Sequence, residues 1–194
     1  MNLQIRQVAP TEVERLCRLA ERTFRDAWER LNRPQHFEAY CREYFSPERM
    51  AAELARPDEE FYFALREDEP IAYLKLNIRR LPGASARLER PLWPGLPLQV
   101  ERIYVVQGLQ GRGVGRVLLE FAEQRAQQLN LPWTWLSVWQ EAPRTVQFYE
   151  KNGYSVFGTE TFWIGGDPQP DWLMRKWIGQ YDIAVPSPKR ADEE

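Results

Sequence analysis

The sequence predicts an α/β (α+β) domain in which helices flank a mixed, mostly antiparallel central sheet. Three observations carry that expectation. Amphipathic helical stretches and short apolar stretches of strand length follow one another along most of the chain. Three glycines, Gly111, Gly113 and Gly115, sit between an apolar strand and an amphipathic helix. The strand before them, residues 98–106, changes the face on which its apolar residues fall.

The elements follow in order. Residues 3–8 alternate and read as a strand. From Thr11 the apolar residues Val13, Leu16, Cys17, Leu19, Ala20, Phe24 and Trp28 recur at three- and four-residue spacing, with Thr11 as N-cap and Glu14 three residues on. Asn32-Arg33-Pro34 ends this helix, and a second runs over 35–44. Ser46 caps a third, with Pro47 at its first position and Arg56-Pro57 at its end. Strands over 60–66 and 71–78 flank the polar joint Glu67-Asp68-Glu69-Pro70 and form a hairpin. Residues 80–97 hold Pro82, Pro91, Pro94 and Pro97 and read as a loop. A strand over 98–106, a helix over 113–129 with Val114, Val117, Leu118, Phe121, Ala122 and Leu129 as its buried stripe, a strand over 131–139, a helix over 143–152 and strands over 154–164 and 171–177 complete the plan. Residues 1–180 make one domain, and the polar tail 181–194 is expected to be mobile.

In strand 98–106, Leu98 and Val100 set one inward phase, whereas Ile103 and Val105 lie on the other. A strand of period two changes faces only through a bulge, which falls here near Glu101-Arg102. This fourth strand of the order is therefore expected to be bulged and splayed.

Bulk properties exclude several classes. A chain of 194 residues with 43% hydrophobic and 13% aromatic content buries a full core rather than staying disordered. Its formal charge of −2 comes without a basic stripe, so no nucleic-acid partner is expected. Apolar runs are strand-sized and no signal peptide is evident, so no membrane role is expected and the cytoplasm is the expected location. Two cysteines, Cys17 and Cys41, are too few for a disulfide framework. The single histidine, His36, reads as a surface residue; no metal site is expected.

The glycine run is built for an anion. Glycines let the backbone approach closely, and the free N–H groups of a helix N-terminus point at a phosphate with the helix dipole behind them. Two phosphate motifs fail on spacing. The nucleotide P-loop needs Lys-Ser/Thr after its last glycine, where Arg116-Val117 stands. The dinucleotide fingerprint needs G-x-G-x-x-G and an acid on the next strand; this run is G-x-G-x-G, and 131–139 carries no acid.

Gln110-Gly111-Arg112-Gly113-Val114-Gly115 resembles Q/R-x-x-G-x-G/A, the pyrophosphate loop of the GNAT acetyltransferase superfamily. That resemblance implies acetyl-CoA as cosubstrate, with Gln110, Gly111, Arg112, Gly113, Val114, Gly115 and Arg116 at its pyrophosphate. Glu101-Arg102-Ile103-Tyr104-Val105 resembles the strand this family uses for the pantetheine arm, implying that Ile103, Tyr104 and Val105 bind through their backbone. The run from Val138 to Tyr154 is similar to the second GNAT signature, with Phe148-Tyr149 and Gly153-Tyr154 in place. It departs from that pattern at Ala142, usually Asn, and at Thr145, usually Ala. The resemblance makes Tyr149 the general acid that protonates the departing thiolate. It makes Glu101 the candidate base, drawing a proton from the amine through water; an ion pair with Arg102 is the competing account of that residue.

The likeness covers roughly residues 3 to 177. Within the superfamily it is similar to bacterial enzymes of the PaiA type, which acetylate spermidine and spermine. It therefore implies a small-molecule amine acceptor such as a polyamine. Asp26, Glu29, Tyr40 and Tyr44 lie on the helices that wall this family's acceptor cleft, though a solvated face and core aromatics account for each singly. A peptide or protein N-acetyltransferase and a non-catalytic acetyl-CoA sensor are the alternatives. Oligomeric state, a homodimer included, is left open.

Overall fold

The computed structural model describes residues 3–179, and the expected mobile tail 181–194 lies outside them. Strand β1 (Gln4–Gln7) leads to three helices, α1 (Val13–Trp28), α2 (Pro34–Tyr44) and α3 (Pro47–Leu54). A hairpin of β2 (Glu59–Arg66) and β3 (Glu69–Ile78) follows, then the two-residue β4 (Arg87–Leu88). The chain continues through β5 (Leu98–Val105), α4 (Val114–Gln128), β6 (Trp133–Trp139), α5 (Pro143–Lys151), β7 (Ser155–Ile164) and β8 (Asp167–Trp177). The strands form a single sheet in the order β1-β2-β3-β5-β6-β8-β7-β4. Neighbours are antiparallel except β5 and β6, which are joined by the crossover helix α4 that a parallel pair requires.

Helices cover both faces. On one, α4 and α5 pack Leu118, Ala122 and Tyr149 against Leu76, Leu98, Val100 and Leu136. On the other, α1, α2 and α3 bring Leu16, Phe24, Phe37 and Met50 onto Phe61, Phe63 and Tyr73. A third cluster, Trp133, Trp135, Phe157 and Leu173, lies beside Trp93 and Trp177. Each such side chain contributes about 1.5–3 kcal/mol on burial, well above the few tenths that separate helix propensities. Apolar spacing therefore decides the elements.

Several expectations are corrected in detail. The first helix is not capped by Thr11 and Glu14. Pro10, with its fixed φ, starts a 3-10 turn over Pro10–Glu12, and the Ala9 N–H donates to the Glu12 carboxylate at 3.1 Å. In α4 the expected stripe included Val117, which is 40% exposed, while Leu119 takes a buried place. The loop 80–97 contributes β4, which pairs Arg87 and Leu88 with Thr159 and Gly158. A Cβ on Gly158 would lie 2.5 Å from the Arg87 carbonyl, so the close approach depends on glycine. The last strand starts at Asp167 rather than residue 171, because β7 pairs with it through to Ile164. Its Pro168 and Pro170 lie beyond the last residue with a β6 partner, Asp171, where a missing N–H is tolerated.

Other signals hold. The Ser46 hydroxyl accepts from the Arg49 N–H at 3.3 Å, capping α3. The β2–β3 turn places Glu67 and Asp68 at φ 51° and 64°, the left-handed pair of a tight hairpin.

Candidate active site

The bulge predicted in β5 is present at Glu101. Lys75 faces Arg102 and Leu76 faces Val100, so Glu101 is the extra residue in the ladder with β3. Its consequence is the phase change: Leu98, Val100, Ile103 and Val105 all pack toward α4 and α5. On its other edge β5 pairs with β6 only at Leu98–Thr134 and Gln99–Trp135. Beyond Gln99 the two strands part, and the peptide groups of β5 from the bulge to Val105 face a split in the sheet rather than a ladder.

The glycine run stands at the end of that split. Gly111 and Gly113 have φ of 73° and 86°, and a Cβ on either would meet nothing within 4 Å. Positive φ demands glycine here, and the space in front is open. Helix α4 closes its first turn from the Val117 N–H to the Gly113 carbonyl, so the N–H groups of Val114, Gly115 and Arg116 head the helix unpaired within it. Arg112 and Arg116 are exposed beside them. Gln110 is exposed, and its side chain donates to the Val105 carbonyl at 3.1 Å, tying loop to strand. A groove of about 490 Å³ lies between α4 and α5, lined by Arg116, Glu120, Glu123, Phe148, Lys151 and Lys176 among others. Donor set, open backbone and split together fit a ligand with a phosphate at one end and an amide-bearing chain at the other.

Tyr149 approaches the split from the α5 side. It is 6% exposed, its ring lies 5.2 Å from Phe148 and 5.9 Å from Tyr154, and its hydroxyl makes no hydrogen bond within the described residues. Burial, reinforced by the nearby Tyr104 phenol, pushes its pKa up, so it stays protonated at neutral pH. From the opposite face Trp28 of α1 spans the mouth of the split. Its indole donates to the Tyr104 hydroxyl at 3.0 Å and meets the Trp139 ring edge-on at 5.8 Å, linking β5 to β6. Burial raises Tyr104 to about 12, opposed by the Trp28 hydrogen bond and the Arg102 charge.

Glu101 is held in a charge network. Lys75 lies 2.9 Å from Glu101, 2.9 Å from Glu53 and 2.8 Å from Glu59, and Asn77 donates to Glu101 at 2.6 Å. Arg102 adds a contact of 3.4 Å. Burial favours the neutral acid, but the Arg102 and Lys75 charges and the hydrogen bonds outweigh it, and the Glu101 pKa is lowered. Of the two accounts given by the sequence, the ion pair with Arg102 is present, on a carboxylate that stands at the bulge beside the split.

Sequence reasoning missed a second acidic feature on the same face. Asp171 of β8 and Glu160 of β7 are directly opposed, and Asp171 also faces Trp139 of β6. Asp171 is 6% exposed. Burial and then the Glu160 charge raise its pKa to about 7, partly offset by the Ser137 hydroxyl. Burial raises Glu160 as well, against the same hydroxyl. The signal was an acid at 171 in phase with buried Leu173, within the strand read over 171–177.

Other candidates are placed elsewhere. Tyr40 is buried in a stack with Phe24 at 5.0 Å and Tyr44 at 4.2 Å, and Arg49 covers the Tyr44 ring at 3.9 Å. Asp26 is exposed, and Glu29 pairs with Arg25 at 2.9 Å. His36 lies half-buried at the surface, where its Nδ1 accepts from the Gly166 N–H at 3.1 Å. Cys17 and Cys41 are buried thiols. Among the described residues no helix is long and apolar enough to cross a membrane, and no group of three or more His, Cys, Asp or Glu is placed to hold a metal.

A sheet split at a bulge, with a glycine-led helix N-terminus beside it, is the architecture of a cleft for an extended, phosphate-bearing ligand. The sequence profile of the Acetyltransferase (GNAT) family matches residues 14–154, and the chain belongs to that family. It is an N-acetyltransferase with acetyl-CoA as cosubstrate. An uncharacterised N-acetyltransferase in the pepI 3′ region of Lactobacillus delbrueckii subsp. lactis is 29% identical over 174 residues, covering 90% of this chain and 96% of the relative. The PaiA N-acetyltransferase of Thermoplasma acidophilum, solved with coenzyme A, shares the fold at a TM-score of 0.72 and 22% identity, covering 91% of this chain and 99% of that one. The ribosomal-protein-S18-alanine N-acetyltransferase of Escherichia coli shares it at 0.64 and 13% identity, covering 95% and 99%. Fold alone therefore leaves the acceptor open.

Proposed function

We propose that the enzyme acetylates a primary amine by direct attack on acetyl-CoA, and that a polyamine such as spermidine or spermine is the acceptor class. The observation that carries this reading is the β5–β6 split with an unpaired strand edge at Glu101–Val105. Gln110, Gly111, Arg112, Gly113, Val114, Gly115 and Arg116 hold the pyrophosphate on the N-terminus of α4. The backbone of Ile103, Tyr104 and Val105 pairs with the pantetheine arm, as an added strand pairs with a free edge.

Tyr149 serves as general acid. Its hydroxyl is protonated, buried and without a hydrogen-bond partner among the described residues, which suits proton donation to a departing thiolate. A carboxylate on the α1–α3 face receives the amine's proton: Glu101, which the sequence nominates, or the Glu160–Asp171 pair. Acids and aromatic rings around that opening suit a cationic acceptor. The likeness to the PaiA enzyme supports the polyamine class.

Melting with and without acetyl-CoA tests the cosubstrate site. Ligand at 100 times its Kd stabilises by about 2.7 kcal/mol, which raises Tm by roughly 5–10 °C in a domain of this size. Release of free thiol is then followed against polyamines, amino acids and peptide N-termini. Spermidine or spermine as the best acceptors bears the proposal out. Preference for peptides makes the enzyme a protein N-acetyltransferase with the 80–97 loop shaping its groove. Binding without transfer to any amine leaves an acetyl-CoA sensor.

A further inference from the structure

We propose that the opposed carboxylates Glu160 and Asp171 are the seat of the acceptor's ammonium group, and that Asp171 is the base that takes its proton. The inference rests on the N-acetyltransferase reading and assigns its acceptor side.

Five elements bring the pieces together. Glu160 and Asp171 face each other across β7 and β8, and Asp171 is also the cross-strand neighbour of Trp139 at the end of β6. Trp139 meets Trp28 of α1, and Trp28 holds the Tyr104 hydroxyl on β5. The pair therefore lies along the α1 side of the split, where Asp171 is near enough to act electrostatically on the Tyr104 phenol. Across the split, Tyr104 acts in the same way on Tyr149, a nine-tenths buried phenol with no hydrogen-bond partner among the described residues. A proton acceptor and a proton donor thus flank one opening from its two faces.

The charges around the pair point to a cation from outside. No lysine, arginine or histidine forms an ion pair with either carboxylate among the described residues. Arg175, on the same face of β8, is committed to the Pro91 carbonyl at 2.6 Å and to the Trp93 ring at 4.0 Å. The groups acting on Asp171 are Glu160 from β7 and the Ser137 hydroxyl from β6. A buried carboxylate and a half-buried one without a countercharge raise each other's proton affinity, and an ammonium supplied by substrate relieves both. Glu101 differs: Lys75, Arg102 and Asn77 already satisfy it and keep it a weak base. We assign it to holding the bulge.

The proton balance is simple. The ammonium gives one proton to Asp171, and the freed nitrogen pair forms the C–N bond. The C–S bond breaks with its pair on sulfur, which takes the Tyr149 hydroxyl proton. The second proton leaving nitrogen restores the phenol, and Asp171 returns its own to solvent.

Three readouts test the assignment. In protein without substrates, carbon-13 NMR should show the Asp171 carboxyl titrating near neutral pH, and at lower pH in Glu160→Gln. Calorimetry with n-butylamine and with spermidine should show at least tenfold weaker binding in Asp171→Asn, with acetyl-CoA affinity unchanged. In turnover, the acidic limb of kcat/KM should move down in Glu160→Gln and disappear in Asp171→Asn with a loss on the order of 10²-fold, while Glu101→Gln keeps the limb. An Asp171→Asn enzyme that retains the limb and the amine affinity, or a Glu101→Gln enzyme that loses the limb, overturns the proposal. A wild type that transfers acetyl to no amine overturns the transferase reading and the base role with it, while ammonium binding by the pair is still decided by NMR and calorimetry.

Discussion

Replacing Asp171 by Asn should change stability in a pH-dependent way that the structure specifies. The carboxyl has an ordinary pKa of 3.8 and is held at about 7 in the folded chain by burial and by the Glu160 charge. Because the folded state binds this proton more tightly than the unfolded state, stability from the group is fully present below pH 3.8. It is lost as pH rises through 7. At about 1.4 kcal/mol per pH unit, the complete loss is about 4 kcal/mol, of which roughly 3 falls between pH 5 and pH 8. Asparagine carries no charge at either pH and escapes the loss. Melting of wild type and Asp171→Asn in one buffer series measures the difference, since other titrations largely cancel between the two proteins. The variant should gain on wild type by roughly 6–12 °C between pH 5 and pH 8. Curves that run parallel across that range would refute the placement of an uncompensated carboxylate at 171. Glu160→Gln should shrink the same difference, because removing the neighbouring charge lets Asp171 ionise at lower pH.

Three further outcomes are expected. Tyr149→Phe should lower kcat on the order of 10²-fold while the acetyl-CoA-induced rise in Tm stays within a degree or two of wild type; equal loss of turnover and affinity would make Tyr149 a binding residue. Lys75→Met leaves Glu53, Glu59 and Glu101 facing one another without their shared cation, and urea unfolding should show a loss of about 3–5 kcal/mol. A cost below 1 kcal/mol there would mean that the network is hydrated and slack. Gly113→Ala forces an L-residue to φ 86° and should cost about 1–2 kcal/mol with weakened acetyl-CoA binding. Gly115→Ala places its Cβ 3.5 Å from Phe148, ordinary contact, and should be near neutral; equal effects at the two glycines would contradict the loop geometry.

Much of the fold was legible because its determinants are local. The α1 stripe, the Ser46 cap and the Glu67–Asp68 turn each depend on residues within a few positions of one another. The bulge at Glu101 was legible for a different reason: Leu98, Val100, Ile103 and Val105 can share one face only if a residue is inserted between them. β4 was not, because Arg87 and Leu88 acquire their strand partner from Gly158, about seventy residues away. Val117 was misplaced because apolar spacing gives the phase of a helix only to within a neighbouring position, and the sheet beneath α4 chose Leu119 instead.

The site divides along the same line. Its phosphate end is one continuous segment, so spacing alone separates it from other glycine loops. Its acceptor side is assembled from α1, β5, β6, β7 and β8, and no window of sequence contains Trp28, Tyr104, Ser137, Glu160 and Asp171 together. Glu101 drew attention because it adjoins the motif, yet adjacency in sequence says nothing about the charges a carboxylate meets. In the fold Glu101 finds Lys75, Arg102 and Asn77 and is driven toward a fixed negative charge. Asp171 finds burial and Glu160 and is driven toward neutrality. Two carboxylates on one face of one sheet are thereby pushed apart in proton affinity, the division that lets one hold structure while the other exchanges protons at physiological pH. A bulge needs charge of opposite sign to fix it. A base needs the lack of that charge, and the split between β5 and β6 brings both conditions to a single opening.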